Sequence, residues 1–186
     1  MVSRVIPVQA FDLVIFGGTG DLARRKILPS LFRRFAAGQM PDDAFVIGVA
    51  RSEMNTKSYQ KLVITALREF EPELSASAEL SNFTKQIKYV KIDAQGDFGW
   101  SDIADKVRKD AIQAFYFSVS PSLFGQLAEK LHQYSIASQS SRIVLEKPFG
   151  RDLSSAQALN AVLKEHFSEV SVFFTFKCFN LSITKL

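Results

Sequence analysis

The stretch Phe11-Asp-Leu-Val-Ile-Phe16, followed at once by Gly17-Gly-Thr-Gly-Asp-Leu-Ala-Arg-Arg-Lys26, decides the fold. A short apolar run of β-formers enters a cluster of glycines and then helix-forming residues, the pattern of a tight β-to-α turn. Glycine permits positive φ and removes Cβ where backbone N–H groups must approach a phosphate, and the helix that follows offers its positive end to that charge. Gly17 is expected to make the bend and Gly20 to open the approach to a pyrophosphate. Ala23 would let the helix lie close on the strand, and the Thr19 hydroxyl would add a hydrogen bond to a phosphate oxygen. The spacing is Gly-x-x-Gly-x-x-Ala rather than plain Gly-x-Gly-x-x-Gly, and the flanking strand and helix supply the context that points to a dinucleotide. A triphosphatase phosphate loop is excluded, because Leu22 stands where its second glycine should be.

Outward from this turn, apolar runs alternate with 3.6-residue periodicity, the signature of β-α-β units. The spacing predicts a helix over Leu22–Ala37, with Leu28, Leu31, Phe32 and Phe35 on one face and a stop at Gly38. A strand at Phe45–Ala50 and a helix at Lys57–Phe70 follow, then a polar excursion over Glu73–Phe83 with a little helix. Next come a strand at Ile87–Ile92, a short helix near Asp102–Lys109, a buried strand at Ala111–Val119 and a helix at Ser122–Tyr134. A strand at Arg142–Glu146 and a helix capped by Ser154 with Gln157 and ending near Phe167 complete the pattern. The fold class predicted is α/β: a doubly wound, Rossmann-like, mostly parallel sheet in three layers.

With 186 residues and 47% hydrophobic composition, the chain has the core of one domain. One cysteine, Cys178, excludes an internal disulfide and fits a cytoplasmic location, and the N-terminus has no secretory apolar region. No apolar run approaches a membrane span, and no metal site is expected, since His132 and His166 have no partners at ligand spacing. Net charge is +4, with a basic cluster at Arg24, Arg25, Lys26, Arg33 and Arg34. Without aromatic interleaving this cluster reads as a solvated helix face that attracts a phosphorylated small molecule, not as a nucleic-acid surface.

Two further places carry chemistry. At the end of the second strand of a doubly wound fold, a carboxylate accepts from the ribose 2′-hydroxyl of NAD, whereas an arginine pairs with the 2′-phosphate of NADP. Arg51 stands there, so NADP is favoured; Glu53, two residues on, keeps NAD as the lesser reading. The Glu146-Lys-Pro-Phe-Gly150 turn ends the fifth strand, where ligands of open α/β sheets bind, so Lys147 is the substrate-side candidate. Pro148 would stiffen that turn, and Ser120-Pro121 after the fourth strand would wall the nicotinamide.

Phe-Gly-Gly-Thr-Gly-Asp-Leu-Ala-Arg-Arg-Lys (Phe16 to Lys26), Val49-Ala-Arg-Ser52, Tyr116-Phe-Ser-Val-Ser-Pro121 and Glu146-Lys-Pro-Phe-Gly-Arg-Asp-Leu153, in this order, closely resemble the N-terminal coenzyme domain of the glucose-6-phosphate 1-dehydrogenase family. The likeness covers about Phe11 to Glu169. It implies oxidation of C1 of glucose 6-phosphate to a lactone with reduction of NADP, at the entry to the pentose phosphate pathway. By the same resemblance Gly17, Gly18, Thr19, Gly20, Asp21 and Leu22 line the pyrophosphate turn. Arg51 binds the 2′-phosphate, Ser120, Pro121, Lys147 and Pro148 lie at the reactive end, and Lys147 also meets the sugar phosphate.

The resemblance lapses after Glu169. Residues 1–169 are expected to be the NADP-binding domain and residues 170–186 a tail foreign to the family. The family's Asp-His-Tyr-Leu-Gly-Lys segment, with its general-base histidine, and the second, substrate and association domain are expected to be missing. A truncated or frameshifted chain without turnover is the corresponding expectation, and Ser171–Phe176 would favour aggregation if left unpaired. A lone NADP-binding module is the rival reading. Enzymes of the glucose-fructose oxidoreductase type share a Glu-Lys-Pro turn but lack the Gly-Asp-Leu-Ala-x-x-Lys continuation. Short-chain reductases need Tyr-x-x-x-Lys, which none of the four tyrosines satisfies.

Overall fold

The computed structural model describes residues 9–138, 141–146 and 172–175, together with positions 157, 160, 161, 163–165 and 167. Six strands form one parallel sheet in the order β3-β2-β1-β4-β5-β6. They are β1 (Phe11–Phe16), β2 (Phe45–Ala50), β3 (Ile87–Lys91), β4 (Ile112–Phe117), β5 (Arg142–Glu146) and β6 (Val172–Thr175). Between them run α1 (Leu28–Ala36), α2 (Thr56–Phe70), α3 (Glu79–Lys85), α4 (Trp100–Lys106) and α5 (Phe124–Gln133).

The two-residue period of a strand sorts its side chains between two cores. Phe11 and Ile15 of β1, Val46 of β2, Ile87 and Tyr89 of β3 and Tyr116 of β4 face a layer built by α1, α2 and α3. Val14, Phe16, Ile47, Val49, Val90, Phe115 and Phe117 face Trp100 and Ile103 of α4 and Phe124, Leu127 and Leu131 of α5. The result is the predicted three-layer, doubly wound sheet, buried on both faces as parallel sheets require.

Four local features differ from expectation, each for a physical reason. The helix after β1 does not run regularly to Ala37: Ala23–Ile27 is a π-helical turn, closed by the Leu28 N–H on the Ala23 carbonyl, and α1 follows it. Pro29 lacks an N–H and its ring would strike the carbonyl four residues back in a regular helix; the wider turn accommodates it. Next, α4 occupies Trp100–Lys106 rather than Asp102–Lys109. Trp100 is fully buried and its Nε1 donates to the Asp93 and Gly96 carbonyls, which fixes the start, while the Arg108 N–H donates to Asp12 Oδ2 at 2.7 Å and so leaves the helix. Strand β4 is shorter than Ala111–Val119, although the Ser118 N–H still pairs with the Phe16 carbonyl at 2.9 Å. Finally, β6 lies within Ser171–Phe176 but is paired, Val172 to Thr175 matching Ile143 to Glu146. The domain boundary expected at residue 169 therefore falls before the last strand of the sheet.

At the amino end of β1, Asp12 is fully buried and accepts from Arg108 Nη2 at 2.6 Å and Nε at 3.1 Å. Its hydrogen bonds raise the Arg108 guanidinium above its ordinary pKa. Arg108 also donates to the Asp43 carbonyl and lies over the Phe45 ring, 4.5 Å from its centre. One side chain thus joins the starts of β1, β2 and β4. Asp12→Ala leaves Arg108 without its acceptor and is expected to cost about 3 kcal/mol, below the upper range because the guanidinium is partly solvated. Urea unfolding measures this, and a loss under about 1 kcal/mol would show that the pair is not a structural tie.

Gly48 in β2 has the opposite role, close approach without charge. A Cβ there would lie 2.2 Å from the Tyr59 ring, so the glycine is the recess that receives that ring. Gly48→Ala is expected to cost about 1–3 kcal/mol by overpacking, read as a lowered Tm; an unchanged Tm would mean that Tyr59 has room to move aside.

Candidate functional site

The strand order reverses between β1 and β4, and their carboxyl ends open the crevice in which open α/β sheets bind ligands. The Gly17–Gly20 turn lies in it. Gly17 has φ +84°, and a Cβ on it would stand 2.2 Å from the Ser118 carbonyl oxygen, so the bend needs glycine on both grounds. The Gly17 and Gly18 N–H groups both donate to the Val49 carbonyl, at 2.8 and 3.0 Å. The Gly20 N–H donates to the Gly17 carbonyl at 2.9 Å, and a Cβ on Gly20 would meet only that oxygen, at 3.1 Å.

These bonds divide the turn. Gly17 and Gly18 build it against β2, and their amides are engaged there. The approachable side is Thr19–Leu22: the Gly20 N–H is already engaged by the Gly17 carbonyl, and in the helix that starts at Asp21 the first N–H groups have no carbonyl one turn back to accept from them. Asp21 is exposed and 3.7 Å from Arg25, Leu22 packs against the core, and Ala23 is fully buried beneath the turn.

The second predicted locus comes to the same place. Thr19 Oγ1 and Ser52 Oγ are 3.5 Å apart, which sets the glycine turn beside the tip of β2 that carries Arg51. Arg51 is exposed there. Glu53, the carboxylate that would suit NAD, is instead ion-paired with Lys91 from the end of β3. Ser120 and Pro121 stand beyond the carboxyl end of β4, both exposed; Ser120 Oγ is 2.9 Å from Ser122 Oγ, and Pro121 opens a 3₁₀ turn. Lys147 and Pro148 lie outside the described residues, as do His166 and Ser154.

Several residues of the site have no role that the sequence motifs assign to them. The buried Ser118 Oγ, at the end of β4 beside Gly17, has no hydrogen-bond partner. Tyr59 donates to the Gly18 carbonyl at 2.9 Å, and Tyr89 donates to the carbonyls of Ser52 and Ala50 at 2.7 and 3.1 Å. A glycine inside an apolar strand, Gly48, was the one available hint that a large side chain must enter nearby. Among the described residues no group of three or more His, Cys, Asp or Glu could hold a metal, and no helix is long and apolar enough to cross a membrane.

Comparison with known proteins points the same way as this geometry. Residues 14–175 match the family model described as glucose-6-phosphate dehydrogenase, NAD binding domain. The chain is 39% identical over 176 residues to a glucose-6-phosphate 1-dehydrogenase of Rhizobium meliloti (strain 1021), covering 93% of this chain and 36% of that protein. It is similar to the crystal structure of glucose-6-phosphate 1-dehydrogenase from Mycobacterium avium, with a TM-score of 0.82 and 28% identity over 91% of this chain and 36% of that one. A glucose-6-phosphate dehydrogenase in complex with its substrate glucose-6-phosphate gives a TM-score of 0.79 and 27% identity, covering 91% of this chain and 37% of that one. The chain thus spans about a third of the length of these relatives. With the matched segment running through both the glycine turn and the sheet that positions it, the chain belongs to the family of glucose-6-phosphate dehydrogenase NAD-binding domains.

Proposed function

We propose that this chain is the NADP-binding part of a cytoplasmic glucose-6-phosphate 1-dehydrogenase, an oxidoreductase that converts glucose 6-phosphate and NADP to 6-phosphogluconolactone and NADPH. The observation that carries the reading is the meeting of the glycine turn with the tip of β2, through Thr19 and Ser52. A cofactor with phosphates at both places needs them side by side.

The residues fit such a group. The Cβ-free turn offers a backbone approach at Gly20, the Thr19 and Ser52 hydroxyls join the glycine turn to the tip of β2, and the buried Ser118 hydroxyl beside Gly17 has no hydrogen-bond partner. Arg51 supplies the forked donor for the 2′-phosphate, and pairing with Lys91 removes Glu53 as a competitor. When bound, the cofactor would supply a hydride acceptor for C1 of the sugar. Lys147, of the Glu146-Lys-Pro-Phe-Gly150 motif, is assigned to the sugar phosphate, and Ser120, Pro121 and Pro148 to the nicotinamide end. The general base and the rest of the sugar site are assigned to the two thirds of the relatives' length that this chain does not span.

Calorimetric titration of the 186-residue chain with NADP and with NAD tests the proposal, followed by glucose 6-phosphate with absorbance detection of NADPH. Binding of NADP in preference to NAD, without reduction, is expected; no binding of either coenzyme by the folded chain would overturn the reading. Arg51→Asp is expected to weaken NADP about 10- to 100-fold, as loss of a charge-assisted contact does, and to change NAD about twofold or less. Equal losses for the two coenzymes would remove Arg51 from the 2′-phosphate.

A further inference from the structure

Two tyrosines hold the two halves of this site from beneath, and neither belongs to the motifs that define it. Tyr59, from the first turn of α2, is fully buried, with its ring in the recess over Gly48 and its hydroxyl on the Gly18 carbonyl at 2.9 Å. Tyr89, in β3, donates its single proton to the carbonyls on either side of Arg51, Ser52 at 2.7 Å and Ala50 at 3.1 Å. The two rings lie 5.0 Å apart at 36°. Thr19 and Ser52 close the circuit above them.

We propose that Tyr59 and Tyr89 form a bracket that sets the position of the glycine turn relative to Arg51, and thereby the preference for a coenzyme phosphorylated on its ribose. The proposal rests on the cofactor reading given above. Both are positioning residues, since their hydroxyls meet backbone carbonyls and not ligand. Burial pushes both phenols up, Tyr89 with help from Glu53, so each keeps its proton and remains a donor throughout the physiological range. Their tasks differ. Tyr59 acts on the turn that every nicotinamide dinucleotide would use, whereas Tyr89 acts on the short segment that only the 2′-substituent would touch.

Tyr59→Phe and Tyr89→Phe each remove one hydroxyl and keep the ring. Wild type and both variants are titrated with NADP and NAD by calorimetry, with Tm measured in parallel. Tyr89→Phe is expected to weaken NADP about three- to tenfold while NAD changes about twofold or less. Tyr59→Phe is expected to weaken both coenzymes by a similar factor of about three to ten. A merely structural role would lower Tm and leave the NADP-to-NAD ratio of Tyr89→Phe unchanged, and that result overturns the bracket. Should a variant fail to fold, amide exchange on the wild type decides: NADP is expected to slow exchange in 17–22 and in 51–53 together, and protection of one segment alone overturns the proposal. Absence of binding to the folded wild type overturns the cofactor reading and the bracket's role with it, whereas binding with an unaltered preference in Tyr89→Phe overturns the bracket alone.

Discussion

Backbone meets backbone at the top of β1 with no side chain between, and the remainder of the structure is arranged around that contact. The Val49 carbonyl receives two N–H groups from Gly17 and Gly18, and the Ser118 carbonyl occupies the space a Gly17 side chain would need. Three strands therefore converge on one bend: β1 enters it, β2 accepts its hydrogen bonds, and β4 limits its size. Any Cβ at Gly17 would have to push the end of β4 away. The price of so tight a bend is positive φ at Gly17, which glycine tolerates.

The other end of the sheet is held by different physics. A carboxylate buried at the start of β1 would be intolerable alone, and Arg108 answers it with three N–H groups, two from the guanidinium and one from its own backbone. The same guanidinium shares the Phe45 ring with Lys88, whose ammonium is 3.3 Å from the ring centre and whose pKa burial lowers. Charge fixes the amino ends of the strands; absence of side chains fixes the carboxyl ends. The crevice at the switch in strand order between β1 and β4 lies at that side-chain-free end.

Much of this was legible in the residue order. Strands β1, β2 and β5 have the predicted bounds because each run of β-formers gives way at its carboxyl end to glycine or charge, at Gly17, Arg51 and Glu146-Lys147. The approach of the glycine turn to the tip of β2, at Thr19 and Ser52, follows from β1 and β2 being neighbours. What could not be read depends on distant partners. Asp12 looks like a polar interruption of an apolar run until Arg108, 96 residues away, is seen beside it. Trp100 moves α4 because of where its indole finds acceptors, and Tyr59 reaches the Gly18 carbonyl across 41 residues. The π turn before Pro29 is an intermediate case, since proline announces a disturbance but not its form. The pairing of β6 depends on β5, which no local pattern in 172–175 encodes.

That π turn has a geometric consequence. Its ring from Ala23 to Leu28 holds one residue more than a regular helical ring. Deleting one residue from Ala23–Ile27 would remove that surplus, and a regular turn would then set the Pro29 ring against the carbonyl four residues back. The surplus peptide unit is thus what lets a coil that carries Pro29 run on from the glycine turn without a break.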